Sequence, residues 1–587
     1  MFATSPRGIS CTRPPPHNIP DVHTTFLWYL IALDLQFSYY FLVMEEKKIS
    51  PAEDSLGHLE HEESSDVLRR GSTVSADMES PAPVWELRRT YTKSGISGIF
   101  ASRYVFTCAF LATLGGLLFG YDQGVVSITL VMPQFLDDFP RGAMNQGWLA
   151  DKISRRWSIF VGGIVFMIGG ALQTGAASFA MLTVARFIGG VGVGMLAMVS
   201  PLYIGEIAPP EIRGTLLVLQ ELCIVTGIVI AFYITYGTRH IPSFWAWRLP
   251  FLIQLIPAIL MCAGVFFIPY SPRWLSQQGR HEESLQTLAK IRQHPTTDER
   301  VMEEWLEIRA ECEYRNEISE KKHHTLTKPG NWNAIKLQIA LYADCWKMPT
   351  YKRTQVAVGL MFFQQFVGIN ALIYYSPSLF ESMGLDYEMQ LTMSGIMNIC
   401  QVVACVWSLW GMDRFGRRKL LLGGAICMFI SHFVIAVLVG KYQNNWPEHT
   451  AAGWASVAFL LFFMLTFGAT WGPIPWAMPA EIFPSSLRAK GCAFGTMSNW
   501  GNNFIIGLIT PPMIQNITYG TYVFFCIFCA ISFVWVYFLV PETNGRTLEQ
   551  MDSVFKDRST NEEAERRAEI MAGLRRDPAS QQVEVVP

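Results

Sequence analysis

Eleven apolar runs follow one another from residue 103 to residue 540, each close to the ~20 residues that a helix needs to cross ~30 Å of hydrocarbon. They lie near 103–131, 157–177, 181–204, 214–236, 247–268, 354–376, 388–410, 419–440, 453–480, 487–513 and 519–540. That repetition predicts an all-α polytopic membrane protein. Composition agrees: charged residues make up 16% of the chain, against about 25% in soluble domains. The mean hydropathy of +0.24 implies many spans over this length. A net charge of -2 gives no nucleic-acid signal. The 12 cysteines are scattered, several inside apolar runs, and no CxxC pair has metal spacing, so neither a metal site nor a disulfide framework is predicted.

Short bursts of charge punctuate the runs, and they come in pairs. GWLADKISRR (147–156) has a near-copy in GMDRFGRRK (411–419). Each sets an acid, Asp151 or Asp413, a few residues before paired arginines, Arg155 and Arg156 or Arg417 and Arg418. A second pair repeats in the same way: Glu206 precedes Arg213 by seven residues, and Glu481 precedes Arg488 by seven. A basic loop alone only orients neighbouring helices. Repetition at matching places in two halves marks a duplicated transporter, and makes these charges a gating network rather than surface ion pairs of little energy.

The pattern divides the chain. Residues 1–100 form an N-terminal tail, 101–269 a first membrane bundle, 270–353 a central loop with short helices, 354–540 a second bundle, and 541–587 a C-terminal tail. The basic content of the central loop places it in the cytoplasm, and both tails with it. Residues 45–99 are polar and read as disordered. The apolar run at 24–44 contains Asp34 and lacks the basic start and cleavage site of a signal peptide. It reads as an extra span or, preferably, as part of an upstream extension of the gene model over 1–43, with Met44 opening the natural tail.

Eleven is an awkward count. The first span carries the chain outward, yet the basic loop ending at Arg156 belongs inside. Only MPQFLDDFPRGAMNQGWLA (132–150) lies between, too polar and too short to cross.

The motifs resemble those of the sugar porter family of the major facilitator superfamily, most closely its fungal monosaccharide transporters. The resemblance covers roughly 100–550. It rests on GGLLFGYDQG (115–124), GWLADKISRR, ARFIGGVGVG with PLYIGEIAPPEIRG (185–214), WRLPF (247–251), SPRWL (271–275), QQFVGINALIYYSP (364–377), DRFGRR (413–418), GPIPWAMPAEIFPSSLRAKG (472–491) and PETNGRTLEQ (541–550). It implies the major facilitator fold of two six-helix bundles. The second helix of that fold is missing here, and belongs between Pro140 and Asn145. A smaller departure is Ser154, where the loop motif usually has Gly.

The implied activity is transport of a monosaccharide by proton-coupled symport. Uncoupled facilitation, or sugar sensing without transport, remains open; sensors of this kind carry a long signalling tail, and the tail after Pro541 is short. The implied partners are the sugar, protons and the bilayer, with a monomer in the plasma membrane. No nucleophile–base set appears, so no enzyme activity is predicted, and no cofactor or metal is implied. The run GGVGVG (189–194) looks like a phosphate-binding loop, but no strand precedes it, and close helix packing is the better reading.

Candidate site residues follow. Asp122 is an ionisable group in an apolar helix, a functional hypothesis by default, although a cap or a static ion pair would also explain it. The resemblance makes it the proton-coupling acid and Arg186 its partner. A carboxylate beside a guanidinium stays charged, and one parted from it takes up a proton. Gln364, Gln365 and Asn370 share one apolar run, and amides match the paired donors and acceptors of sugar hydroxyls. Interhelical bonding is the alternative. Trp476 matches the family's aromatic platform, and Pro473 and Pro475 break its helix. By family position Asn503 is a sugar ligand. Glu221 stands where many relatives have a sugar-binding Gln, with Gln220 the ligand instead if the register shifts. Gln401 is a weaker candidate. In the family, the duplicated charges join the Asp151 and Asp413 loops into a cytoplasmic lock.

Overall fold

The computed structural model describes residues 102–129, 131–138, 155–209, 212–324, 331–348, 350–483, 487–543, 555 and 559–576. Every predicted apolar run lies on helix. The first half contains α1 (Arg103–Thr129), the short α2 (Pro133–Asp138), α3 (Arg155–Thr174), α4 (Phe179–Ile207), α5 (Arg213–Thr238), α6 (Trp245–Ile253) and α7 (Leu255–Gly264). Between the halves come α8 (Pro272–Gln277), α9 (His281–Arg292), α10 (Glu299–His323) and α11 (Asn331–Asp344). The second half contains α12 (Tyr351–Phe366), α13 (Ile369–Glu381), α14 (Tyr387–Phe415), α15 (Arg417–Tyr442), α16 (Thr450–Ala469), α17 (Ile474–Ile482), α18 (Arg488–Ile517) and α19 (Tyr519–Leu539). A last helix, α20 (Ser559–Arg576), follows in the tail.

Among the described residues, ten helical spans are long and apolar enough to cross a membrane. The eleventh run is α18, a helix of 30 residues diluted by Asn499, Asn502 and Asn503. Three predicted runs are broken helices: α6 and α7 meet at Gln254, α12 and α13 at Val367–Gly368, and α16 and α17 at residues 470–473. The last break falls at the GPIPW prolines, as the sequence predicts.

Local chemistry sets several helix starts. Ser178 begins α4 by accepting the Met181 N–H, and Asp386 begins α14 by accepting that of Met389. Ser271 caps α8, with Pro272 in the first turn. Small residues set the packing inside the first half. A β-carbon on Gly120 of α1 would overlap the Ile224 carbonyl of α5, and one on Gly192 of α4 would lie 2.6 Å from the Phe166 nitrogen of α3. Gly192 belongs to the GGVGVG run, which therefore packs helix on helix and holds no phosphate loop.

The direction of the described spans bears on the second helix that the family fold calls for. Lys290 of α9 lies over the Tyr104 ring at 5.5 Å, so α1 starts beside the central-loop helices. At the opposite face Phe135 of α2 meets Trp247 edge-on at 5.7 Å. Yet α3 starts beside the central loop again: Arg155 pairs with Glu206, near the end of α4, and Arg292 of α9 donates to the Ile207 carbonyl. The far end of α3 meets Arg248, which donates to the Ala176 carbonyl. Consecutive described spans α1 and α3 thus run the same way. The place where a second helix is expected, between Pro140 and Asn145, lies outside the described residues, as do the tail residues 1–100 and Asp151.

Candidate functional site

The site lies where α1, α4 and α5 of the first half face α12, α13, α17 and α18 of the second. Asp122 of α1 and Arg186 of α4 are joined by a 2.6 Å ion pair, each side chain about a fifth exposed. Arg186 also donates to Gln173 Oε1 of α3 at 3.2 Å. Gln173, fully buried, escaped the sequence reading because a lone amide in an apolar run resembles any packing residue.

Opposite them, the amides form two groups. Asn370 Nδ2 donates to Gln365 Oε1 at 2.6 Å, which leaves one donor group on Gln365 and one acceptor on Asn370 turned to other partners. Gln364 is held otherwise. Its Nε2 donates to the Trp471 and Gly472 carbonyls, both at 2.9 Å, and its Oε1 accepts from Asn499 at 2.7 Å. Those bonds tie α12 to the α16–α17 break and to α18. Asn503 donates to the Tyr374 hydroxyl at 3.3 Å. Tyr374 is a second residue that the sequence did not single out.

Trp476 and Trp500 reach from the second half into the core of the first, with the Trp500 ring 4.9 Å from that of Phe119. The register of α5 separates the two neighbours that the sequence left open. Gln220 packs against α1 at Gly116, whereas a Glu221 carboxylate oxygen lies 3.6 Å from where a β-carbon on Gly472 would stand. Glu221 therefore faces the second half, buried. Gln401 of α14 is also buried, and among the described residues its Oε1 has no hydrogen-bond partner.

The duplicated charges repeat their geometry as well as their spelling. Arg155 meets Glu206 at 3.4 Å, and Arg417 meets Glu481 at 3.0 Å. The second arginine of each pair does something else, and does it twice. Arg156 donates to the Phe266 carbonyl and lies 5.0 Å from the Tyr270 ring; Arg418 donates to the Tyr537 carbonyl and lies 5.6 Å from the Tyr537 ring. Arg488 donates to the Phe483 carbonyl at 3.4 Å rather than to Glu481. The side chains of Arg213 and Asp413 lie outside the described residues. A central-loop acid joins the network: Glu311 pairs with Arg273 at 2.6 Å. Burial alone would raise the Glu311 carboxyl, but the charges of Arg273 and Arg488 hold it below the usual carboxylate value. Among the described residues no group of His, Cys, Asp or Glu is placed to hold a metal.

A polar site between two helical halves, with an ion pair at its edge and duplicated charge clusters on one face, defines a multi-pass membrane transporter of the major facilitator fold. The chain belongs to the sugar transporter family: residues 140–555 match the family described as sugar (and other) transporter. It is 32% identical over 497 residues to a quinate permease of Neurospora africana, covering 78% of this chain and 90% of that one. It is 30% identical over 487 residues to a high-affinity glucose transporter of Kluyveromyces lactis, covering 77% and 85%. Among solved structures it resembles a D-xylose–proton symporter, with a TM-score of 0.54, 25% identity, and coverage of 76% of this chain and all of that one.

Proposed function

We propose that the protein carries a monosaccharide together with a proton, as a monomer in the plasma membrane, by alternating access of its two halves. The observation that carries this reading is the Asp122–Arg186 ion pair on α1 and α4, with α13, which bears Asn370 and Tyr374, packed on α1. Movement of α4 against α1 parts the pair, and the carboxylate then takes a proton. The sugar is held by Gln365, Asn370 and Asn503, with the Trp476 indole against its apolar face and Glu221 and Gln401 at the far wall. Gln364, with three bonds inside the protein, serves to position that wall. The paired arginines and glutamates on the inner face lock the halves together while the outer side is open.

The relatives named as quinate permeases favour a second reading of the substrate, a carboxylated polyhydroxy ring. The test is uptake of labelled D-glucose by cells expressing the chain and, in parallel, the chain completed by a second helix before Asn145. Accumulation that collapses with a protonophore, and is competed by hexoses and not by quinate, supports the proposal. Saturable uptake indifferent to the protonophore would replace symport with facilitation. Competition by quinate alone would replace the sugar.

A further inference from the structure

A helix that breaks inside a membrane leaves carbonyls with no partner of their own, and something else must satisfy them. At the α16–α17 break the donor is Gln364. At the α12–α13 break it is His432 of α15, whose Nε2 lies 3.0 Å from the Val367 carbonyl. A carbonyl only accepts, so Nε2 carries the hydrogen. The next residue, Gly368, has a φ of 101°, and a β-carbon there would come within 2.9 Å of the Phe525 ring; only glycine fits both demands. His432 is 1% exposed, with its ring 4.7 Å from Phe463 and 5.6 Å from Phe525. Among the described residues its Nδ1 has no hydrogen-bond partner. An apolar side chain would fill that place without the cost of burying an unpaired nitrogen, so the bond to Val367 is the one visible use of the imidazole.

The segment beyond the break is one part of the second half that touches the first near the outer face, beside the α5–α14 contact. α13 carries Asn370 and Tyr374, packs on α1, and joins it through Ser376 and Ser127 at 3.3 Å. α12, before the break, carries Gln364 and Gln365. We propose that His432 is a positioning residue for transport: by holding the Val367 carbonyl it fixes the inner end of the joint, so that α13 swings about Gly368 while α12 keeps its amides in place. This rests on the alternating-access reading above.

Hydrogen exchange on the full-length chain in detergent tests it. In His432→Phe, the amides from Gly368 to Leu372 should exchange at least tenfold faster, with α15 and α19 within twofold of the parent. His432→Gln, which keeps a donor of similar reach, should stay within threefold at the joint. In the chain completed by a second helix, His432→Phe should lose at least fivefold in kcat for D-glucose with KM within twofold, and His432→Gln should retain it. Unchanged exchange at the joint in His432→Phe would overturn the proposal. So would equal loosening of α15 and α19, or a glutamine variant as impaired as the phenylalanine. If the parent carries no D-glucose, the transport reading fails by itself and the exchange comparison still decides the role of His432.

Discussion

At the scale of single residues, the site is a set of polar groups whose bonds are only partly made inside the protein. Asp122 and Arg186 hold each other at 2.6 Å, so removing the charge should uncouple sugar from proton without emptying the site. Asp122→Asn is expected to abolish accumulation against a gradient while leaving sugar exchange measurable in preloaded vesicles; an accumulating variant would refute the coupling role. Gln365 and Asn370 share a 2.6 Å bond, and each is expected to bond the sugar with its remaining group. Gln365→Ala and Asn370→Ala should each raise KM, by roughly 1–3 kcal/mol of lost binding. Because the two amides touch, the double variant should cost less than the sum. Additive effects would mean that the amides act apart, and unchanged KM in both single variants, at normal surface expression, would move the site. These residues were legible because polar groups in apolar runs stand out. Gln173 and Tyr374 were not, since nothing in a sequence shows that a distant amide will meet Arg186 or that a phenol will accept from Asn503. Gln364 shows the opposite limit: its type and place announced a polar role, but only the fold shows its hydrogen bonds turned into the protein.

At the scale of elements, the two halves meet along α5 and α14 as well as α1 and α13, and an ion pair closes the α5–α14 seam at the face away from the central loop. Arg239 ends α5 and reaches Glu388, in the first turn of α14, at 2.6 Å. Each charge suits the dipole of its own helix end. The guanidinium also lies 4.3 Å from the Tyr236 ring and 5.8 Å from that of Tyr387. Breaking the pair by Arg239→Gln should let the outer ends part more often. An impermeant thiol reagent should then label Ser127→Cys a few-fold faster, in keeping with ~1 kcal/mol for a partly exposed pair, and Arg239→Glu combined with Glu388→Arg should reverse much of the gain. Equal labelling in all three would show that the pair holds nothing. The seam was invisible in sequence because its partners are 149 residues apart and carry no motif.

The central-loop helices allow a prediction about pH. Asp298 caps α10 and bonds Arg300 through both backbone and side chain. The Arg300 side-chain bonds, more than its backbone bond, hold the Asp298 carboxyl down at about 2, from an ordinary 3.8. A folded value below the unfolded one means that the cap stabilises fully above the ordinary value and is lost as pH falls from about 4 toward 2. Asp298→Ala should lower the melting temperature of the α9–α10 region by an amount worth ~1 kcal/mol, and the gap from the parent should close at pH 2. A gap that persists there would assign the loss to something other than the charged cap. The sequence predicted helical segments in this loop. It did not predict that α20, from the tail, would dock on α10 through Arg566–Glu317, Arg575–Glu303 and Leu574, because such docking depends on tertiary contacts.

At the scale of the whole molecule, the paired inner clusters show how far duplication carries. Arg155–Glu206 and Arg417–Glu481 match in geometry, and so do the carbonyl and ring contacts of Arg156 and Arg418. Two halves built alike should be threaded alike, and among the described residues the two differ. In the second half α12–α13, α14 and α15 are three successive spans, and α14 packs along α5 of the other half. In the first half α1 is followed by only the short α2 before α3, which starts at the same face as α1. The described residues stop at Asp138, beside α6, and resume at Arg155, beside the end of α4, and crossing ~30 Å of hydrocarbon takes a helix of about 20 residues. As sequence, residues 139–154 are neither long nor apolar enough to do so as a helix, and any other backbone in lipid leaves polar groups unpaired. The duplicated design also calls for a helix there to face α18 as α5 faces α14. The unmodified chain is accordingly expected to show no sugar uptake and to be retained inside the cell. Inserting about 20–25 apolar residues of a close relative before Asn145 should bring it to the surface and restore saturable uptake. Sequencing the transcript across codons 130–150 gives an independent check, since a skipped exon or misplaced splice site predicts a longer natural message. Robust uptake by the unmodified chain, with Lys152 labelled only from the cytoplasmic side, would refute this and require residues 139–154 to cross by a route in which protein, not lipid, satisfies the backbone.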